Sequence, residues 1–527
     1  MLADTAARPS RAAAPALSAV RPRYSAVAMR RPLGWAKVAL CYALAIVVPT
    51  ILYYVLRFNG ADLMPLHLVV ATFYLVTAVM IVVETTVASC RRFAGTAPAP
   101  VSRRDSFGGM VKGTLGWRGA RLPQAGRPMP RSTLIIAAFL PNEQEIIVET
   151  LTHVLNWIRR PREGLEVILA YNTPIRLPVQ RELEELRDSH PELKLLWVPG
   201  SESKAENLNA ALQLVTGEIT GILDADHLPR YDCLERAWHW LGHDYDVVQG
   251  RNVVRNVASN AETRCIAVEF ECMYGISHPA RSLWVNTGIF GGSNGYWRTE
   301  VLRKIRFDPH MLTEDIDASV RALLQGYRIA VDRSIISTEL AVRDFRSFWF
   351  QRKRWAQGWL QVSLRHQTAM WRTPHLTALQ KLYWTYLLMY REMYPLVSLQ
   401  VFPLLFSMLL WQGSLPLLSH WYLWSSAAIT LLSGPYQVAV AARHAQTGLR
   451  RRDVVGYAFF VLPFVMLKHM IWVVALYDHL AHNNDWVVTR RQISADLKRK
   501  ANENGFLGNL HRIVGSVVRN HRNHVTR

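Results

Sequence analysis

Apolar residues are arranged along the chain in two ways. Long runs nearly free of charge occupy residues 34–56, 65–89, 383–411, 416–442 and 454–480. Each is long enough to cross about 30 Å of hydrocarbon at about 1.5 Å per residue. Between residues 132 and 345 the pattern changes to short β-branched runs separated by helical spacings. Strands are predicted at 133–138, 165–170, 193–198 and 219–223. Ile146, Ile147, Leu151, Val154 and Leu155 recur at helix spacing, a polar helix follows at 178–189, and another begins near Lys204. Strands alternating with helices predict an α/β domain with a mostly parallel sheet and its ligands at the strands' carboxyl ends.

The flanks complete the layout. Residues 1–32 are rich in Ala, Arg, Pro and Ser and read as a disordered basic segment without a secretory pattern. Two spans fill 33–92, a Gly, Pro and Arg-rich linker covers 93–131, and the soluble α/β domain is 132–345. Amphipathic interface helices at 346–382 and two further spans at 383–443 follow. The run at 454–480 is different, because Lys468 and His469 lie mid-run beside Pro463. Ionisable groups at bilayer depth are costly. A fifth span would also carry the basic segment 485–527 across the membrane. An interfacial or re-entrant helix pair is therefore predicted within 444–484. Arg30, Arg31, Arg91, Arg92, Arg450, Arg451 and Arg452 then share the cytoplasmic side, as basic flanks prefer.

Lys plus Arg number 61 against 40 Asp plus Glu, a net +21, yet half the residues are hydrophobic and only 19% charged. A disordered basic protein lacks that apolar content. A nucleic-acid binder shows higher charge density. The balance fits a multi-pass protein of the cell membrane, with the bilayer and not nucleic acid as its partner. The five cysteines (Cys41, Cys90, Cys233, Cys265, Cys272) have no metal-knuckle spacing and read as free thiols in a reducing compartment.

Four stretches carry chemistry. Strand 219–223 runs into Asp224-Ala225-Asp226-His227. Carboxylates two apart at the end of a buried strand suit a divalent cation, although surface loops also contain this pattern. Gly288–Gly295 (GIFGGSNG) reads either as a tight turn or as backbone kept bare for a ligand. Thr313-Glu314-Asp315 opens a helical run: Thr313 suits the N-cap, and Asp315 suits a general base. Gln351-Arg352-Lys353-Arg354-Trp355 lies in an amphipathic stretch, 345–364. It reads as an interfacial helix, as Arg forks for phosphate with an aromatic face for sugar, or as both.

In this order, D-A-D-H, G-G-S-N-G, T-E-D and Q-R-K-R-W resemble the signature of membrane-embedded family-2 glycosyltransferases, the processive synthases of cellulose, chitin and hyaluronan. The resemblance covers about residues 130–490. It implies a GT-A (Rossmann-like) domain inserted between transmembrane helices. It implies inverting transfer from a UDP-sugar, glucose favoured, to a growing β-linked glycan; a membrane lipid acceptor is the alternative. It places Asn142 and Glu143 in the nucleotide loop and Lys204 near the donor. Asp224 and Asp226 hold the diphosphate with Mg2+ or Mn2+. Asp315, with Glu314, is catalytic. Gln351, Arg352 and Arg354 line the donor and acceptor side, while Trp355, Gly292, Ser293 and Asn294 lie on the acceptor side. Trp486-Val487-Val488-Thr489-Arg490 resembles the family's gating loop, with Thr489 and Arg490 closing over the donor. One departure is the turn after the second strand, commonly Asp-rich in the family; here Asn172 and Thr173 offer neutral hydrogen bonds. Four spans are few for a polymer channel, which leaves a narrow channel, a homodimer or a short product open.

Overall fold

The computed structural model describes residues 34–90, 125–412 and 420–483. Thr489, Arg490 and the whole 485–527 segment lie outside them. The soluble domain contains strands β1 (Ser132–Phe139), β2 (Leu165–Asn172), β3 (Leu193–Trp197) and β4 (Ile219–Asp224). Each matches its predicted run to within a residue or two. Four more follow: β5 (Leu228–Pro229), β6 (Val247–Val254), β7 (Gly295–Arg298) and β8 (Ile329–Glu339). All eight form one sheet in the order β3-β2-β1-β4-β7-β6-β8-β5.

The β3-β2-β1-β4 half is parallel, as predicted. The other half is mixed, although β6 pairs with β8 in parallel and the sheet as a whole stays mostly parallel. β7 runs antiparallel to both β4 and β6, and β5 antiparallel to β8. Both are too short for their hydrophobic period to declare them. Along β1, β2 and β4, Ile135, Ile168 and Ile222 face one core, and Leu134, Ile136, Val167, Leu169 and Leu223 face the other. Each such side chain, once buried, stabilises the fold by about 1.5–3 kcal/mol. This double burial is why these strands read as near-continuous apolar runs. Register sets Ala137 of β1 opposite Asp224 of β4, and Phe139 of β1 opposite Asn172 of β2. The polar residues that end these strands therefore emerge along one edge of the sheet.

Four described helices are long and apolar enough to cross a membrane: Trp35–Phe58, Met64–Ser89, Ala378–Trp411 and Arg451–Leu480. The Trp421–Arg443 helix is not among them, because Ser425, Ser426, Ser433, Pro435 and Gln437 dilute its apolar run. It packs along Met64–Cys90 through hydrogen bonds from Ser426 Oγ to the Ala71 carbonyl (2.7 Å) and between Thr72 and Tyr422 hydroxyls (2.7 Å). The predicted helix pair near 454–480 is instead one continuous 30-residue helix containing Pro463. Its charges meet helices of the soluble domain at three levels. Asp453 pairs with Arg264 at 3.3 Å, Lys468 with Glu269 at 2.8 Å, and Asp478 with Lys353. Asp478 also pairs with Lys37 of the first helix at 2.6 Å. The thiols of Cys41, Cys233, Cys265 and Cys272 are free.

Candidate active site

β4 ends on Asp224, whose side chain is about 30% exposed at the open edge of the sheet. Its backbone N–H donates to Ser293 Oγ at 2.9 Å. Its carboxylate pairs with the Lys204 ammonium, and Lys204 Nζ also donates to the Gly292 carbonyl at 2.7 Å. Lys204 opens the Lys204–Ala211 helix, fixed by a capping box between Ser203 and Glu206. Burial pulls the Lys204 pKa down, but Asp224, Glu314 and Asp315 outweigh it, so the net shift is upward and the amine stays charged.

Asp226 turns inward. It accepts a hydrogen bond from the Leu340 N–H at 3.0 Å and lies 3.3 Å from His227 Nδ1. Asp224, Asp226 and His227 offer ligand atoms within 4.8 Å of one another. The hard carboxylate oxygens of this set fit Mg2+ or Mn2+. His227 was not expected here. Burial lowers its pKa, while Asp226 and Glu339 more than reverse that. Among the three, the two carboxylates are the hard oxygen donors.

The glycine-rich turn supplies the next contact. Gly292 has φ +87°, and a Cβ there would stand 2.7 Å from Asp315 Oδ2. The bare backbone thus admits the carboxylate that opens the Glu314–Leu324 helix. Thr313 occupies the N-cap position, but its side chain makes no capping hydrogen bond. Asp315 Oδ1 accepts from the Ile316 N–H at 2.9 Å instead. Burial, then the adjacent Glu314, pushes Asp315 up to about 7 against Lys204 and Arg354. That value suits a base working near neutral pH.

Two residues with no motif to announce them hold this turn. Gln249 of β6 accepts from the Gly291 N–H at 2.7 Å and donates to the Ser293 carbonyl at 3.0 Å. Ser319 Oγ accepts from the Phe290 N–H at 2.9 Å and donates to the Asp315 carbonyl at 2.8 Å. Tyr274, placed by a π-helical turn over Met273–Ser277, brings its hydroxyl within 2.9 Å of where a Gly291 Cβ would stand.

The Phe345–Arg372 helix places Gln351, Arg354, Trp355 and Gly358 at positions i, i+3, i+4 and i+7, hence on one face. Gly358 lies against Thr313, where a Cβ would meet Thr313 Oγ1 at 2.6 Å. Arg354 donates to the Leu312 carbonyl at 3.1 Å, and its charge acts on Asp315. Arg352 corrects an expectation. It is buried, bonds Glu269 Oε2 at 2.6 Å, and lies 4.3 Å from the Trp355 ring. Its guanidinium holds the helix in place and does not line the donor side.

Ser293 and Asn294 also depart from their expected acceptor role. Both are buried. Ser293 orients Asp224, and Asn294 Nδ2 donates to the carbonyls of Arg251 (3.2 Å) and Ile335 (3.0 Å), tying β7 to its neighbours. On the other side of β1, Glu143 accepts from the Phe139 N–H at 2.7 Å, and Asn142 is its half-buried neighbour. Asn172 accepts from Asn207 Nδ2 at 2.9 Å and donates to the Ser201 carbonyl at 2.8 Å. Thr173 donates to the Ile175 carbonyl, closing its own turn. Asn142, Glu143, Asn172 and Thr173 thus sit beyond the ends of β1 and β2, on the strand edge that β4 shares.

Comparison with known proteins agrees with this arrangement. Residues 219–473 match the family described as Glycosyl transferase family group 2. The chain is 27% identical over 239 residues to a beta-monoglucosyldiacylglycerol synthase of Synechocystis, covering 44% of this chain and 49% of that one. It is 28% identical over 172 residues to a cellulose synthase catalytic subunit of Komagataeibacter sucrofermentans, covering 31% and 23%. A solved mannosyltransferase from Pyrobaculum calidifontis aligns at TM-score 0.46 and 19% identity, over 79% of this chain and 99% of that one. The chain spans from about a quarter to just over half of the length of the curated relatives it matches. The D-A-D-H strand end, the glycine turn, the T-E-D helix and the Q-R-K-R-W helix all fall inside residues 219–473, the segment that matches this glycosyltransferase family.

Proposed function

We propose that this chain is an inverting glycosyltransferase that takes glucose from UDP-glucose and extends a β-linked glucan at the cytoplasmic face of the cell membrane. The observation that carries the reading is the convergence of Asp315, Gly292, Lys204 and Asp224 on one spot at the strand edge. Asp315 is the base: it takes the proton from an acceptor hydroxyl as that oxygen attacks the anomeric carbon. The bond to the diphosphate breaks, UDP leaves with the electron pair, and the configuration inverts. Lys204 and Arg354 supply positive charge where the diphosphate charge develops, the kind of stabilisation that contributes most in many enzymes. Mg2+ or Mn2+ held by Asp224 and Asp226 would neutralise the departing diphosphate. Asn142, Glu143 and Asn172 hold the nucleoside side, and Gln351 with Trp355 the acceptor side.

A second reading has its own support. The match to the Synechocystis lipid glucosyltransferase covers more of this chain than the match to the cellulose synthase subunit. A diacylglycerol or polyprenyl acceptor would use the same base. Purified protein fed radiolabelled UDP-glucose in lipid separates the two. A glucanase-sensitive polymer supports the synthase reading. Label found only in the organic phase replaces it with lipid glycosylation.

The Arg451–Leu480 helix belongs on the inner face of the membrane in this proposal. Asp453 and Lys468 pair with the Ala261–Cys272 helix of the soluble domain, and Asp478 with Lys353 of the interface helix. A helix that crossed the bilayer would carry one end away from that domain.

A further inference from the structure

The loop between the Trp421–Arg443 and Arg451–Leu480 helices encloses a cavity of about 410 Å³, lined in part by Ala445, Thr447, Leu449, Arg451 and Val455. None of these residues belongs to the transfer site. The cavity wall is rigidly built. Glu271 accepts from the N–H groups of Gln446 (3.0 Å) and Thr447 (3.1 Å) and from Thr447 Oγ1 (3.0 Å). Glu271 is itself buried against Arg251, which donates to the His444 carbonyl at 3.0 Å. A buried ion pair therefore fixes the loop to the soluble domain and to its side of the membrane.

Arg451 lines the cavity, and Arg443 and Arg450 are chain neighbours of lining residues. Arg443, Arg450 and Arg451 are exposed, and among the described residues no carboxylate pairs with any of them. The nearby acid, Asp453, is taken by Arg264 at 3.3 Å. The floor continues into an apolar ridge. Val455, Phe459 and Leu462 follow at four- and three-residue steps on one helix face and are 55%, 84% and 40% exposed. Cationic forks above an exposed apolar strip match a molecule with an anionic phosphate at one end and hydrocarbon at the other. Basic pockets between membrane helices on the cytoplasmic side bind such headgroups.

We infer that this cavity binds the headgroup of an anionic phospholipid, with its acyl chain along Val455, Phe459 and Leu462. The inference uses the membrane placement proposed above and not the transfer chemistry. Arg450 and Arg451, the pair substituted below, set the expected loss at about 1 kcal/mol each.

The test uses the full chain in nanodiscs of phosphatidylcholine mixed with phosphatidylglycerol. Native mass spectrometry then counts the lipids retained after release. The wild type is expected to keep phosphatidylglycerol in preference to phosphatidylcholine. The Arg450→Gln, Arg451→Gln double variant should retain it roughly thirtyfold more weakly. Arg450→Lys with Arg451→Lys keeps the charge and should retain it. Equal retention of the two lipids by wild type, or undiminished retention by the glutamine variant, overturns the inference. Displacement of the lipid by inorganic phosphate alone overturns it as well, since the site would then read phosphate without the membrane. UDP release, measured in parallel, should be the same for wild type and both variants in pure phosphatidylcholine. Its loss there would count against the transfer reading's separation from this cavity, while lipid retention still decides the site.

Discussion

Asp315 is the residue on which structure and chemistry meet. Burial and Glu314 raise its pKa to about 7, above the unfolded carboxylate value of about 4. As a base it works only when ionised, so kcat/KM should rise with pH through about 7 and level off above it. A flat profile from pH 5 to about 9 contradicts that role. The same shift has an opposite consequence for stability. A raised folded-state pKa means that the fold favours the protonated form. That contribution is complete below pH about 4 and is lost as pH rises through about 7. Asp315→Asn should therefore melt higher than wild type at pH 8 and nearly level with it at pH 5, as thermal unfolding in detergent will show. Gly292 is the second residue to test. Gly292→Ala forces a side chain into left-handed backbone and 2.7 Å from the Asp315 carboxylate. It should lower kcat/KM at least about tenfold and cost about 1–2 kcal/mol of stability. UDP affinity should change little, because the residues proposed to hold the nucleoside lie at the ends of β1 and β2.

At the scale of elements, the parallel half of the sheet was legible because β1, β2 and β4 are buried on both faces and declare themselves as apolar runs. The strand-end position of Asp224 followed from that. β7 was not legible: four residues following a glycine turn carry no period, and only tertiary pairing makes them a strand. The sequence likewise placed Ser293, Asn294 and Arg352 by neighbourhood in a motif. It had no way to show that Ser293 and Asn294 point into the sheet, or that a partner 83 residues away captures Arg352. Gln249 and Ser319 escaped notice for the same reason, since each acts through long-range bonds to backbone. Glu269 is the partner in question, and it holds both Arg352 and Lys468. Burial raises its pKa, but Arg352 and Lys468 more than offset this and keep it low. Glu269→Ala leaves Arg352 buried without its counter-charge. It should destabilise the protein by about 3 kcal/mol, the low end for a broken buried pair because Lys468 stays about 30% exposed. Chemical unfolding compared with wild type measures it, and an unchanged midpoint would show that Arg352 finds another partner.

At the scale of the whole molecule, the charge of +21 first drew attention as a clue to partners. The structure divides it. One share is neutralised inside, as in the pairs of Arg251 with Glu271 and Lys353 with Asp478. Another, at Lys204 and Arg354, faces the strand edge where an anionic donor would bind. A third, Arg443 with Arg450 and Arg451, is exposed around the loop bound to the soluble domain, with no carboxylate partner among the described residues. The placement proposed for the Arg451–Leu480 helix, along the inner face, would put the residues after 490 in the cytoplasm. An alkaline phosphatase fusion after residue 490 should be inactive and a green fluorescent protein fusion bright. The reverse pattern would make that helix a span. The central claim, sugar transfer with Asp315 as the base, is tested most directly by UDP release. Purified wild type and Asp315→Asn are compared with UDP-glucose, Mg2+ or Mn2+ and lipid, with UDP binding measured alongside. The account predicts that the variant binds UDP like wild type and releases it at least about a hundredfold more slowly. Equal release by both proteins would contradict it.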